Sequence, residues 1–141
     1  MELVPLFEGE LRYRTLHSVD FEVGRQFYGT LDGTISGERM RGRLELTNLA
    51  AQRPDNVNCP ALRGLLTLED ESVAYVEMNG LSTLRESDQA RVFVTSLTFR
   101  SGDQRWTWLN TVVGTLEGVL DTATVDGRSR FRAFECWPTV E

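Results

Sequence analysis

Apolar and polar residues alternate along most of the chain, and short glycine-containing or acidic segments separate the alternating runs. The run RVFVTSLTFR at 91–100 is followed by SGDQ and then by RWTWLN at 105–110, which predicts an antiparallel hairpin with its loop at 101–104. An apolar wall with a few hydrogen-bonding groups is typical of a small-molecule pocket, and an ordinary packed core fits the same pattern. In this register one face is mostly aromatic and carries Phe93, Thr95, Leu97, Phe99, Trp106, Trp108 and Asn110.

A second hairpin is predicted from LRGLLTLE and VAYVEMNG, with the turn at Asp70–Glu71. If Glu69 pairs with Ser72, Glu77 stands opposite Gly64 on an otherwise apolar face, which leaves space beside a carboxylate. The other face mixes apolar and charged residues, and partial cover by a partner chain would suit it. The first of these faces holds Leu62, Gly64, Leu66, Leu68, Val73, Tyr75, Glu77 and Asn79.

The same period-two pattern predicts further strands. Leu11, Tyr13 and Thr15 alternate with two arginines, and Met40 to Leu46 alternates apolar or glycine positions with charged ones. Residues 48–61, with two prolines and three asparagines, are predicted to form a long loop, either a lid over a pocket or a plain surface excursion. The tail is predicted to form one or two strands broken at Asp126–Gly127, and its last run points Phe131, Ala133, Glu135 and Trp137 to one side.

No segment has the pattern of an amphipathic helix, so the chain is predicted to be all-β. Its 141 residues fit a single domain over residues 1–141. Short strands with frequent turn signals favour a small antiparallel β-barrel with a lipocalin-like or allene-oxide-cyclase-like architecture.

Composition narrows the possible functions. The net charge of −6 disfavours a nucleic-acid partner, and the absence of lysine excludes a lysine Schiff base. His17 is the only histidine, and Cys59 and Cys136 lack C-x-x-C spacing, so no metal site and no cofactor are predicted. The N-terminus has early acidic residues and no apolar signal region, which indicates a cytoplasmic protein without a membrane segment.

Three segments of the chain, spanning residues 37–114, resemble a bacterial family catalogued as domain of unknown function 3237. They are GERMRGRL, LRGLLTLEDESVAYVEMNG and FVTSLTFRSGDQRWTWLN, and the last matches most specifically. The family's Asp-Trp segment, expected after Leu46, is replaced here by TNLAAQRPDN. The resemblance implies a small antiparallel β-barrel, commonly dimeric, with an apolar lumen, and it implies no general activity. The matched positions are Arg63, Leu66, Asp70, Val76, Gly80, Phe93, Thr95, Phe99, Gly102, Asp103, Arg105, Trp108, Leu109 and Asn110.

Two functions fit the predicted lumen, and the first is favoured narrowly. In the first, the protein is a cofactor-independent cyclase or isomerase of a small, largely apolar, polyketide-like metabolite. Its catalytic residues are then Tyr75, Glu77 and Glu135, which would polarise a carbonyl or move a proton. In the second, the barrel is a carrier or sensor that binds such a molecule without reaction. A fully packed barrel without a cavity is a third possibility. A homodimer is expected in each case, and the predicted substrate-binding residues are Tyr13, Leu66, Phe93, Thr95, Phe99, Trp106, Trp108 and Asn110.

Overall fold

Eight long antiparallel strands close into a barrel in the computed structural model, which describes residues 1–121 and 127–141. The strands are β1 (Glu2–Asp20), β2 (Arg25–Ser36), β3 (Arg41–Asn48), β4 (Ala51–Gln52), β5 (Asn58–Cys59), β6 (Ala61–Leu68), β7 (Val73–Leu84), β8 (Arg91–Arg100), β9 (Gly114–Leu120) and β10 (Ser129–Trp137). Each long strand pairs with its neighbour among the long strands, in the order β1-β2-β3-β6-β7-β8-β9-β10, and β10 pairs with β1 to close the ring. The predicted all-β fold and barrel architecture are therefore confirmed.

Period-two alternation accounts for most of these strands, because a closed barrel buries one face of each strand and exposes the other. In β3, Leu44 and Leu46 are buried while Arg43 and Glu45 between them are exposed, as predicted. In β1, a bulge at Arg14 breaks the alternation and turns Thr15 outward, where its hydroxyl lies 2.7 Å from that of Thr30. The prediction that Thr15 shares a face with Leu11 was therefore wrong.

The predicted register of the β6–β7 hairpin is wrong by one residue. Residues 69–71 form a three-residue turn, in which Leu68 N–H donates to Ser72 O and Glu71 adopts the left-handed region at φ 69°. The turn brings Leu66 opposite Ala74 and Gly64 opposite Val76. A register shift of one residue moves every side chain of the strand to the opposite face of the sheet. Tyr75 and Glu77 therefore lie on the outside of the barrel.

The predicted strand at 105–110 is also wrong, because this segment forms a 3₁₀ helix, η1 (Gln104–Thr111). Asp103 caps the helix by accepting a hydrogen bond from Arg105 N–H at 2.9 Å. Asn110 holds the loop with two bonds, accepting from Ser101 N–H at 2.6 Å and donating to Ser101 O at 2.9 Å. Leu109 has no exposed surface and fills the end of the barrel beneath the helix.

The barrel has one packed end and one end with a cavity. The packed end, under η1, holds fully buried side chains that do not line the cavity, among them Met40, Leu66 and Leu97. At the other end, β4 pairs with β2 and β5 pairs with β7, so segment 48–61 crosses between two barrel strands. The tail forms β9 and β10 as predicted, while Asp126 of the predicted break lies outside the described residues. No helix in the described part of the chain has the length and apolar character needed to span a membrane.

Acid is expected to loosen η1. Asp70 accepts a hydrogen bond from Trp106 Nε1 at 2.9 Å, which lowers the pKa of Asp70. The side-chain bonds from Arg105 likewise lower the pKa of Asp103. Because both pKa values are depressed in the folded state, the carboxylates stabilise the fold above their ordinary pKa of about 4, and this contribution disappears as the pH falls below it.

We therefore expect the free energy of unfolding to decrease below about pH 4. Tryptophan fluorescence during unfolding at each pH measures this decrease. The variant Asp70→Asn should be less stable at neutral pH and should show a smaller decrease in acid. Glu86→Gln, on an exposed turn, is the control and should behave like the wild type. An acid profile unchanged by Asp70→Asn would contradict the assignment of Asp70 to this contact.

Candidate functional site

The lumen opens into a cavity of about 220 Å³ at the end opposite η1. Its inner wall is fully buried, with Leu116 and Thr95 only 1% and 2% exposed, whereas Leu16 is 50% exposed. The cavity therefore extends from solvent into the barrel interior. It is lined by Leu11, Tyr13, Leu16, Phe27, Leu31, Asn48, Ala50, Asn58, Pro60, Leu62, Met78, Ser82, Arg91, Phe93, Thr95, Leu116, Leu120 and Ser129.

Two aromatic rings of the wall lie against glycines of neighbouring strands. A Cβ atom at Gly29 would lie 2.5 Å from Cε1 of Tyr13, and one at Gly118 would overlap the ring of Phe93. Glycine within a strand often marks such a close approach, and an aromatic ring covering it shields the exposed backbone. The two glycines thus let the rings lie flat on the barrel wall, and the space in front of the rings becomes part of the cavity.

The Tyr13 hydroxyl is positioned by Asn48. The side-chain oxygen of Asn48 accepts a hydrogen bond from Ala61 N–H at 3.1 Å, which fixes the orientation of the amide. Its Nδ2 therefore points towards Tyr13 and donates to the phenol oxygen at 3.0 Å. Burial raises the pKa of Tyr13, against a smaller opposite effect of this bond, so the phenol stays protonated at neutral pH. Because the phenol oxygen is the acceptor here, its own proton is available to a molecule in the cavity.

Arg91 lies among the lining residues with its guanidinium partly buried. Its Nη1 donates to Asn56 O at 2.9 Å and to Ser82 O at 3.1 Å, so it joins segment 48–61 to β7. Burial lowers the pKa of Arg91. Within residues 1–121 and 127–141, no carboxylate pairs with it, and its Nε and Nη2 have no hydrogen-bond partner.

Thr95 contributes the second unusual polar group of the wall. Its hydroxyl is buried and has no hydrogen-bond partner among the described residues. A buried hydroxyl without a partner costs about 1–3 kcal/mol. Such groups are rare in folded proteins, and a bound molecule is one explanation for retaining one.

The structure brings three of the predicted substrate-binding residues to the cavity, namely Tyr13, Phe93 and Thr95. Leu66 and Phe99 also point into the barrel, but they belong to the packed core at the other end and do not line the cavity. Their strands run the full length of the barrel, so a correct face does not by itself give a correct depth.

Trp106, Trp108 and Asn110 do not reach the lumen cavity, because they belong to η1. The two indole rings pack on the core from outside with centroids 6.3 Å apart, and the guanidinium of Arg39 lies 3.9 Å above the Trp108 ring. Asn110 is exposed and holds the backbone of Ser101. The prediction that both indoles share a hollow with Asn110 was wrong, since a capping helix replaces the second strand of the hairpin.

The three predicted catalytic residues also lie away from the cavity. On the outer surface, the Tyr75 hydroxyl donates to Glu77 at 3.0 Å, and Glu77 lies 3.5 Å from Arg63. Glu135 lies on the predicted face but at the packed end, where it pairs with Arg39 at 3.2 Å. The lumen placement was wrong for Tyr75 and Glu77 because of the register, and for Glu135 because of its depth.

Five polar lining residues were missed: Asn48, Asn58, Ser82, Arg91 and Ser129, of which Asn58 belongs to the segment predicted as a loop. Continuing the alternation of each predicted strand by one step would have found three of them. Asn48 follows Leu46 with the same parity, Arg91 precedes Phe93, and Ser129 precedes Phe131. Ser82 could not have been found in this way, because the register of β7 was wrong. Among the described residues, no three His, Cys, Asp or Glu side chains lie close enough to form a metal site.

Comparison with known proteins supports the fold. No family model and no curated protein matches the chain, so the family resemblance stays a prediction. A β-barrel-like protein from Acinetobacter baumannii superposes with a TM-score of 0.81 at 15% identity, covering 95% of this chain and 94% of that chain. A protein of unknown function from Clostridium acetobutylicum has a TM-score of 0.81 at 17% identity, with 95% and 97% covered. An enzyme from Penicillium herquei has a TM-score of 0.71 at 18% identity, with 95% and 94% covered. At these identities the likeness shows the fold alone.

Proposed function

We propose that this barrel binds a small, largely apolar molecule whose carbonyl or hydroxyl oxygen accepts a hydrogen bond from Tyr13. The observation that carries the proposal is the Tyr13–Asn48 pair, which leaves the phenol proton free beside an apolar cavity. A protonated phenol in a water-poor pocket is a strong donor to a ligand oxygen. Such a pocket, apolar with a few positioned polar groups, is the usual form of a small-molecule site.

The cavity volume limits the size of this molecule. An engineered apolar cavity of about 150 Å³ holds one benzene. The 220 Å³ cavity therefore suits a single ring with a short side chain. A larger molecule would extend past Leu16 into solvent.

A second function, a cofactor-independent cyclase or isomerase, is favoured by the same phenol. A hydrogen bond from Tyr13 to a carbonyl would stabilise the enolate that forms when a proton leaves the neighbouring carbon. In this proposal a water molecule in the cavity accepts that proton, and no carboxylate of a described residue lines the cavity. Because burial raises the pKa of Tyr13, the phenol stays protonated, so it can donate a hydrogen bond to the substrate but is not the base of the reaction. The catalytic residue of this proposal is therefore Tyr13 in place of Tyr75, Glu77 and Glu135, and the reaction class is the one proposed from the sequence.

Binding is tested with 4-phenylbutan-2-one, a ketone of suitable size, by isothermal titration calorimetry. We expect the ketone to bind the wild type, and Tyr13→Phe to weaken binding by about 2- to 10-fold, as one lost hydrogen bond predicts. Tyr75→Phe, on the outer surface, is the matched control and should bind like the wild type. An equal effect of both variants, or no binding by the wild type, would refute the role of the cavity.

Catalysis is tested on the same ketone in deuterium oxide. If the second function holds, the wild type accelerates exchange of the protons next to the carbonyl, and Tyr13→Phe loses this acceleration far more than it loses affinity. If the barrel only binds, exchange proceeds at the solvent rate in the presence of either protein, which excludes enolisation of this ketone.

A further inference from the structure

Resting on the binding function proposed above, we propose that the ligand is an organic acid whose carboxylate pairs with Arg91 while a second oxygen bonds to Thr95. The proposal thus names a chemical class, a small amphipathic acid with an aromatic or branched body. It also orients the molecule, with the charged group near the guanidinium and the second oxygen against the buried wall.

Arg91 differs from the arginines that hold the surface together. Arg39, Arg63 and Arg105 each pair with a carboxylate of this chain. Arg91 is partly buried, and its partners among the described residues are two backbone carbonyls, both bonded to Nη1. Those two bonds hold the guanidinium in one orientation and leave Nε and Nη2 free to bind both oxygens of a carboxylate. Partial burial of a cation without a counter-ion is unfavourable, so a ligand anion that pairs with Arg91 would offset this cost.

Strand β8 sets the spacing of the ligand contacts. Arg91, Phe93 and Thr95 are alternate residues on the inward face and all line the cavity. At about 3.3 Å per residue, the Cα atoms of Arg91 and Thr95 are about 13 Å apart. A molecule with its carboxylate at Arg91 would lay its apolar body across Phe93 and reach Thr95 with its far end. The unpaired hydroxyl of Thr95 then gains the partner that the described protein residues do not supply.

Long-range electrostatics does not provide this selectivity. The chain carries a net charge of −6, which disfavours the approach of an anion. A preference for an acid over an uncharged molecule of the same shape would therefore arise at Arg91 itself, by direct contact.

The test compares three probes of one shape by calorimetry at pH 7: 3-phenylpropanoate, 3-phenylpropan-1-ol and 3-phenylpropanamide. We expect the wild type to bind the acid at least 10-fold more tightly than the two uncharged probes. Arg91→Met should remove this preference, because it removes the charged hydrogen bonds to the carboxylate. The affinity for the alcohol should stay within about twofold of the wild-type value. Arg100→Met, on the exposed outer face of the same strand, is the control and should retain the preference.

The contact with Thr95 is tested with 3-(4-hydroxyphenyl)propanoate, which adds one hydroxyl at the far end. It should bind the wild type about threefold or more tightly than 3-phenylpropanoate, and Thr95→Val should abolish this difference. Since Thr95→Val removes an unpaired hydroxyl, its thermal midpoint should equal or exceed that of the wild type. If the extra hydroxyl gives no gain in the wild type, the position assigned to Thr95 is wrong.

The outcomes separate this inference from the proposed function. If all three probes bind equally and Arg91→Met has no effect, the proposal that the ligand is an acid is refuted. The proposed function, a cavity that binds small apolar molecules, then still stands. Failure of all three probes to bind would refute both. If Arg91→Met does not fold, Arg91→Lys replaces it. That variant keeps the charge but loses the two-pronged geometry, so it should retain only part of the preference for the acid, and a full preference would refute the paired contact.

Discussion

Replacing Leu109 with alanine is expected to destabilise the barrel by about 2–5 kcal/mol, the range for truncating a fully buried leucine. Leu109 has no exposed surface and belongs to the core cluster at the packed end, although it lies in a short 3₁₀ helix. A cavity left beneath η1 could close only by moving the helix, which Asp103 and Asn110 hold in place. Urea unfolding of Leu109→Ala against the wild type measures the effect.

This variant also distinguishes the two structures considered for residues 105–110. In the hairpin predicted from the sequence, Leu109 belongs to the face opposite the aromatic wall, and its truncation would have little effect. Leu81→Ala is the matched control, since Leu81 on β7 is 50% exposed. This substitution should lower the free energy of unfolding by less than about 0.5 kcal/mol. Similar effects of both substitutions would contradict the capping role of η1.

Replacing Gly29 with alanine is expected to reduce the affinity for 4-phenylbutan-2-one at least tenfold. The new Cβ would lie 2.5 Å from Cε1 of Tyr13 and 3.2 Å from the carbonyl oxygen of Thr15. The backbone needs only a slight adjustment, whereas the ring of Tyr13 must swing into the cavity and give up its bond to Asn48. We expect a loss of about 1 kcal/mol in stability, because the lost hydrogen bond is partly offset by the better strand propensity of alanine.

Gly102→Ala provides the control for this substitution, because a Cβ at Gly102 would meet no atom within 4 Å. Its affinity and stability should match those of the wild type. Calorimetric titration with the ketone and thermal unfolding of each variant measure the two effects. An unchanged affinity in Gly29→Ala would show that the position of the Tyr13 ring does not shape the binding site.

Much of the inward-facing side of the barrel could be predicted from the sequence. The alternation in β3 and β8 assigned Leu44, Leu46, Thr95 and Leu97 to the inside, where the structure places them. This works because burial of one face imposes period two on a strand regardless of its neighbours. The same rule, continued two residues beyond Leu46, identifies Asn48 at the end of β3.

The candidate catalytic residues could not be predicted in this way. Tyr75 and Glu77 were assigned to the lumen because a two-residue turn was predicted before β7. The turn has a third residue, since Glu71 adopts the left-handed conformation that glycine usually adopts. The Trp-Thr-Trp pattern at 106–108 fits a strand, yet this segment is helical because Asp103 caps it and Leu109 fills the end of the barrel. The depth of Phe99 and Glu135 in the barrel likewise has no local signal.

The sequence by itself determined that the chain is all-β and which side of most strands is apolar, since that pattern depends on burial of alternate residues along a single strand. Only the tertiary structure decided the register between strands, the helix that closes one end, and the group that meets in the cavity, Tyr13 with Asn48, Arg91 and Thr95. These features depend on contacts between residues far apart in the chain, and alternation within one strand carries no information about its partner or about which end of the barrel stays open.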